Sequence, residues 1–96
     1  MRETENEGAC SCLAVIKNQR GLHARAAARF VKIAERYEAE IVVEKDQMRV
    51  SARSIMGLMM LAAEKDASIR ICGVGADASS AVDALADFVK RKFDEE

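Results

Sequence analysis

Residues 41 to 50 carry the pattern that most restricts the fold. Ile41 and Val43 share one face of a β-branched run flanked by Glu40 and Glu44, Met48 and Val50 alternate with Arg49, and the polar stretch Glu44 to Gln47 lies between them. A period of two puts one face of a strand in the core, and two such runs across a short polar break predict a β-hairpin. The apolar run CLAVIK, Cys12 to Lys17, has strand length and β-branched content, and NQRG (Asn18 to Gly21) breaks it as a turn. Ile69 and Ile71 mark a fourth strand, which ends at the glycines of GVG, Gly73 to Gly75.

Between the strands the period changes. From His23 to about Tyr37, Ala27, Phe30, Val31 and Ala34 recur at helical spacing, while Arg25, Arg29, Lys32 and Arg36 fall on the opposite face. Ser54 to about Ala63 predicts a short helix with Ser54 as N-cap. A last helix begins after Asp77, a good N-cap residue, and Val82, Leu85, Ala86, Val89 and Phe93 keep its spacing to the end. Lys90, Arg91 and Lys92 close it, where the helix dipole favours cations. The order β-α-β-β-α-β-α with a central hairpin predicts an α+β domain, an antiparallel sheet covered by helices on one face.

Composition limits the functions open to such a domain. With 96 residues the chain has room for one core and a shallow surface site, not a deep substrate cavity. A formal net charge of −1 argues against general nucleic-acid or anionic-membrane binding, so charge recognition must be local. Cys10, Cys12 and Cys72 match no zinc spacing and read as small buried hydrophobes of a reducing compartment; no cofactor is implied. The polar start MRETENEGACS predicts a flexible tail over residues 1–11 before a domain at 12–96, with no apolar leader. No run approaches the roughly 20 apolar residues that span a bilayer, so the expectation is a soluble cytoplasmic protein without membrane insertion.

The chemistry concentrates at GLHARAAARF, Gly21 to Phe30. His23, the only histidine, falls between a glycine turn and the start of the amphipathic helix. The first N–H groups of a helix lack partners and its dipole is positive there, which suits a bound or attached phosphate. The same field disfavours imidazolium, so a neutral, nucleophilic His23 is expected near neutral pH. Arg25 carries a planar fork of donors that matches phosphoryl oxygens. No carboxylate stands near His23 in the sequence as a general base, and no metal-ligand cluster surrounds it. Taken alone, a histidine here reads as a cap or turn residue, and the basic stripe as a solvated face.

GLHARAAARFVKIA closely resembles the active-site segment of HPr, the histidine-containing phosphocarrier family of the bacterial phosphotransferase system. The resemblance continues through SARSIMGLMMLAA (Ser51 to Ala63), the segment Gly75 to Ala78 and the final helix, covering residues 12–96. It implies an open-faced sandwich of four antiparallel strands and three helices. It also implies a phosphoryl group accepted on His23 Nδ1 from enzyme I, which draws on phosphoenolpyruvate, and passed to an enzyme IIA-type acceptor in sugar transport. Arg25 would be the active-site arginine. Ser54 would be the regulatory site of HPr kinase/phosphorylase in lineages that have that enzyme, although an N-cap serine needs no kinase. The docking surface would join Arg20, Leu22, Arg29, Lys32 and Arg53 to Ile55, Met56 and Met59, because so short a helix cannot bury all its methionines.

The sequence departs from the family at Ala26, where proline is usual in the first helical turn. Alanine keeps the helix and leaves φ free, which fits a specialised or regulatory branch. The N-terminal extension with Cys10 and Cys12 is a second departure. The expected protein is therefore a stoichiometric phosphoryl carrier rather than an enzyme, with nothing that demands more than a monomer. The alternatives are a nitrogen-type or other regulatory member with non-sugar partners, or an interaction module controlled through Ser54 with His23 silent.

Overall fold

The alternation at residues 41 to 50 does form the hairpin. In the computed structural model of the protein, which describes residues 9–95, β2 (Glu40–Lys45) and β3 (Met48–Ser51) pair antiparallel with Val43 opposite Val50. Asp46 and Gln47, with φ of 53° and 83°, make the two-residue turn whose twist suits a hairpin. The sheet is completed by β1 (Ala9–Val15) and β4 (Ser68–Val74) in the order β1-β4-β2-β3, with β4 antiparallel to both neighbours. The predicted tail lies outside the described residues up to residue 8, as does that stretch of the predicted leaderless start. Ala9 to Ser11, assigned to the tail by the sequence reading, instead belong to β1.

Three helices, α1 (Ala24–Ala34), α2 (Ile55–Met60) and α3 (Ala78–Lys90), cover one face of the sheet. Ile41, Val43, Ile69 and Ile71 point inward and meet Phe30, Val31, Val82, Leu85 and Val89 in one core. The other face is open, and on it Leu13 stands exposed opposite Arg70 and Val74 opposite Ala9. This is the predicted α+β open-faced sandwich. The cysteines are unpaired and partly buried, and among the described residues no group of metal-ligating side chains forms. No helix among them is long and apolar enough to cross a membrane.

Three sequence expectations fail at the chain's ends and caps. Asp77 occupies the N-cap position of α3 without capping it, because its carboxylate accepts the Glu38 and Ala39 N–H groups, each at 2.9 Å, and so ties down the start of β2. Leu22 is buried in the core and offers no docking surface. Phe93, which continues the helical spacing of α3, is not in that helix. Lys92, Phe93 and Asp94 form one left-handed turn with φ of 61°, 55° and 59°. A non-glycine residue in that region costs about 1–2 kcal/mol. Three residues share that conformation, and complete burial of the Phe93 ring, worth about 1.5–3 kcal/mol, offsets part of their combined cost. The ring also meets Phe88 edge-on at 5.5 Å.

Candidate functional site

Gly21 sets the approach to His23. Its φ is 67°, and a Cβ there would lie 2.5 Å from the Ala63 carbonyl oxygen, so only glycine brings the chain this close. The next N–H, that of Leu22, donates to the same Ala63 oxygen at 2.9 Å and ties the loop to the segment after α2. His23 is then the N-cap of α1. Its backbone is extended, its carbonyl accepts the first helical bond from Ala27, and its Nδ1 accepts the Arg25 N–H at 3.2 Å. An accepting Nδ1 puts the proton of a neutral ring on Nε2.

Nε2 faces a carboxylate that the sequence reading did not find. Glu95, 72 residues further along, places Oε2 against Nε2, and both side chains are only 16% exposed. Its other oxygen, Oε1, accepts from Asn18 Nδ2 at 2.9 Å, and the same amide donates to the Gly21 carbonyl at 2.9 Å. Asn18 is wholly buried, and its Oδ1 finds no partner among the described residues. Burial pushes the Glu95 carboxyl up, but hydrogen bonds from Asn18 and His23 and the charges of His23 and Arg20 outweigh it. The net shift is below the usual carboxylate range. The left-handed turn delivers Glu95, and Arg29 Nη1 holds that turn by donating to the Phe93 carbonyl at 3.0 Å.

Arg20, Arg25 and Arg29 line a cleft of about 230 Å³ whose other wall is Asp94 and Glu95. Lys32 is exposed one turn further along α1. Ser54 is the N-cap of α2, its Oγ accepting the Gly57 N–H at 2.9 Å. The α2 surface is apolar and open, with Met56 74% and Met60 62% exposed beside the half-exposed Ile55 and Met59. Arg53 is exposed and donates to the Tyr37 and Ala39 carbonyls. Among the expected residues, the fold brings Arg20, Arg25 and Arg29 together along the cleft beside Glu95, holds Ile55, Met56 and Met59 on the neighbouring helix, leaves Arg53 exposed with its guanidinium on the Tyr37 and Ala39 carbonyls, and buries Leu22.

A family profile described as the PTS HPr component phosphorylation site matches residues 11–91. The phosphocarrier protein HPr of Neisseria meningitidis is 45% identical over 80 residues, covering 83% of this chain and 90% of that protein. The chain belongs to the HPr family. Another HPr-family relative, phosphocarrier protein NPr of Shewanella violacea, is 41% identical and covers 83% of this chain and 88% of its own length. The fold agrees with a solved HPr from Thermoanaerobacter tengcongensis at a TM-score of 0.86 and 41% identity, covering 91% of this chain and 98% of that one.

Asn18 and Glu95 are the residues sequence reasoning missed. Asn18 sits in NQRG, where it reads as a turn former, and nothing local indicates that its amide is buried. Glu95 follows the basic run Lys90 to Lys92 and a phenylalanine in helical register, so the spacing itself conceals the turn that carries it back to His23.

Proposed function

We propose that the protein carries a phosphoryl group on His23 Nδ1, taking it from enzyme I and passing it to an enzyme IIA-type acceptor. The observation that carries this reading is the His23 ring at the head of α1, with its proton side against Glu95 and its Nδ1 lone pair at the helix N-terminus. As Nδ1 bonds to phosphorus, the Arg25 N–H that it accepted becomes free to donate to a phosphoryl oxygen. The guanidinium groups of Arg20, Arg25 and Arg29 supply further donors and positive charge along the cleft. The cleft lined by Arg20, Arg25, Arg29, Asp94 and Glu95 opens to the surface, which leaves a phosphoryl group there accessible to a second protein. That suits a stoichiometric carrier without turnover of its own, acting in the cytoplasm. In this reading the carrier works as a single copy, with Glu95 and the Arg25 N–H of the same chain holding the His23 ring.

The exposed α2 surface of Ile55, Met56 and Met59, with Arg20, Arg25, Arg29 and Lys32 beside it, is the docking face in this reading, and acidic partner surfaces are its complement. Ser54 is a regulatory phosphorylation site in the same scheme. Phosphate at a helix N-terminus leaves α2 intact, and its added negative charge repels acidic partners. The decisive measurement is mass spectrometry after incubation with phosphoenolpyruvate and enzyme I, comparing wild type with His23→Ala. One acid-labile phosphate on wild type and none on the variant is the expected result. No phosphate on wild type, with the cognate enzyme I shown to be active, refutes the carrier reading and leaves the Ser54-controlled module.

A further inference from the structure

The Asn18–Glu95–His23 chain lies outside the helix-terminus chemistry. A buried amide spends both its hydrogens on holding the Gly21 carbonyl and one oxygen of Glu95, and the other oxygen of Glu95 meets Nε2 of His23. The left-handed turn, the buried Phe93 ring and the Arg29 bond to the Phe93 carbonyl fix where Glu95 can go. Three otherwise costly features, a strained turn, a buried amide with one unpartnered oxygen and a shielded carboxylate, converge on one ring nitrogen.

We propose that Glu95, aligned by Asn18, is a positioning residue that makes Nδ1 the reacting nitrogen of His23 and takes up the charge the ring gains in transfer. The inference rests on the phosphoryl-carrier reading of His23. In the step itself the Nδ1 lone pair forms the new bond to phosphorus, and the bond from phosphorus to the donor breaks with its electron pair leaving on the donor. The ring becomes positively charged and its proton stays on Nε2, where the Glu95 carboxylate balances the charge. In the return step Nδ1 recovers its lone pair and the same contact holds the neutral ring. A base oriented by a third group is the general logic of activated nucleophiles. Here the orienting group also covers the competing nitrogen.

The test uses phosphoramidate, a small donor that phosphorylates imidazoles without a docking partner, with ³¹P NMR to assign the isomer formed on wild type, Glu95→Gln and Glu95→Ala. Cooperative thermal unfolding of each variant verifies that it is folded. Wild type is expected to give the Nδ1 isomer alone. Glu95→Gln keeps an acceptor oxygen and loses the charge, so it should give the same isomer roughly tenfold more slowly, the scale of a charge-assisted against a neutral hydrogen bond. Glu95→Ala uncovers Nε2 and should give a mixture containing the Nε2 isomer, a change that a merely structural role would not produce. The Nδ1 isomer alone at wild-type rate from both variants overturns the role of Glu95. A wild-type His23 that stays unmodified where free histidine reacts overturns the carrier reading together with this one.

Discussion

His23 and Ser54 occupy the same position in two helices, and they are supported in different ways. Each is an N-cap with extended backbone, and each accepts a backbone N–H from its own first turn. Ser54 needs nothing more, since its hydroxyl and the Gly57 N–H are three residues apart. His23 depends on residues five positions before it and 72 after it, through Asn18 and Glu95. A cap that only closes a helix can be encoded locally. A cap that must also present one chosen nitrogen needs its ring held from the other side.

The largest effect should come from removing the anchor of the long-range arm. Phe93→Ala deletes a fully buried ring and leaves the left-handed turn without its offset, at a cost of about 3 kcal/mol or more. Denaturant unfolding measures it, and a cost below about 1 kcal/mol would mean that the turn does not depend on the ring. Ser54→Ala breaks the local arm instead and should cost about 1 kcal/mol. Its rate of His23 modification by phosphoramidate should equal that of wild type, so a slowed rate would show the two caps to be coupled.

Ala62→Gly should sharpen the contrast from the far end of α2. Ala62 has a φ of 52°, and glycine there should stabilise the protein by roughly 0.5–1 kcal/mol without touching either cap. An unchanged melting temperature would argue against that strain. The smallest effect is that of pH. The folded-state pKa of Glu95 is depressed, so its contribution is present above the ordinary glutamate range and lost as pH falls through the folded value. Stability profiles of wild type and Glu95→Gln should therefore keep a constant separation above about pH 4.5 and converge as pH falls below it through the folded value. Parallel profiles would show that the carboxylate does not titrate with folding.

The parts legible in the sequence are those whose cause lies within a few residues. The hairpin at residues 41 to 50, the basic and apolar faces of α1 and the Ser54 cap follow from period and side-chain chemistry alone. The exposure of Met56 and Met60 follows from a helix too short to bury them. The remainder depends on tertiary competition. Asp77 has the right chemistry for a cap, but the unpaired N–H groups of Glu38 and Ala39 take its carboxylate. Phe93 fits the helical stripe, yet the core reaches its ring through a turn of opposite hand. Leu22 lies beside the reactive histidine and still goes inward, because Gly21 presses that backbone onto Ala63. Glu95 was invisible for the plainest reason, that its partner is 72 residues away.

The strand order has a consequence for how the chain is made. Among the described residues β1 pairs only with β4, and its register sets Ala9 against Val74 and Val15 against Ser68. Among the described strands, β1 therefore has no partner until β4 has emerged, whereas the β2–β3 hairpin can close as soon as its own two-residue turn is clear. Pairing over such a separation carries a loop-closure cost that nearby contacts avoid, and it slows folding. During synthesis the nascent chain exposes an unpaired strand bearing Leu13 and Val15, which makes that interval its time of greatest exposure to misassociation.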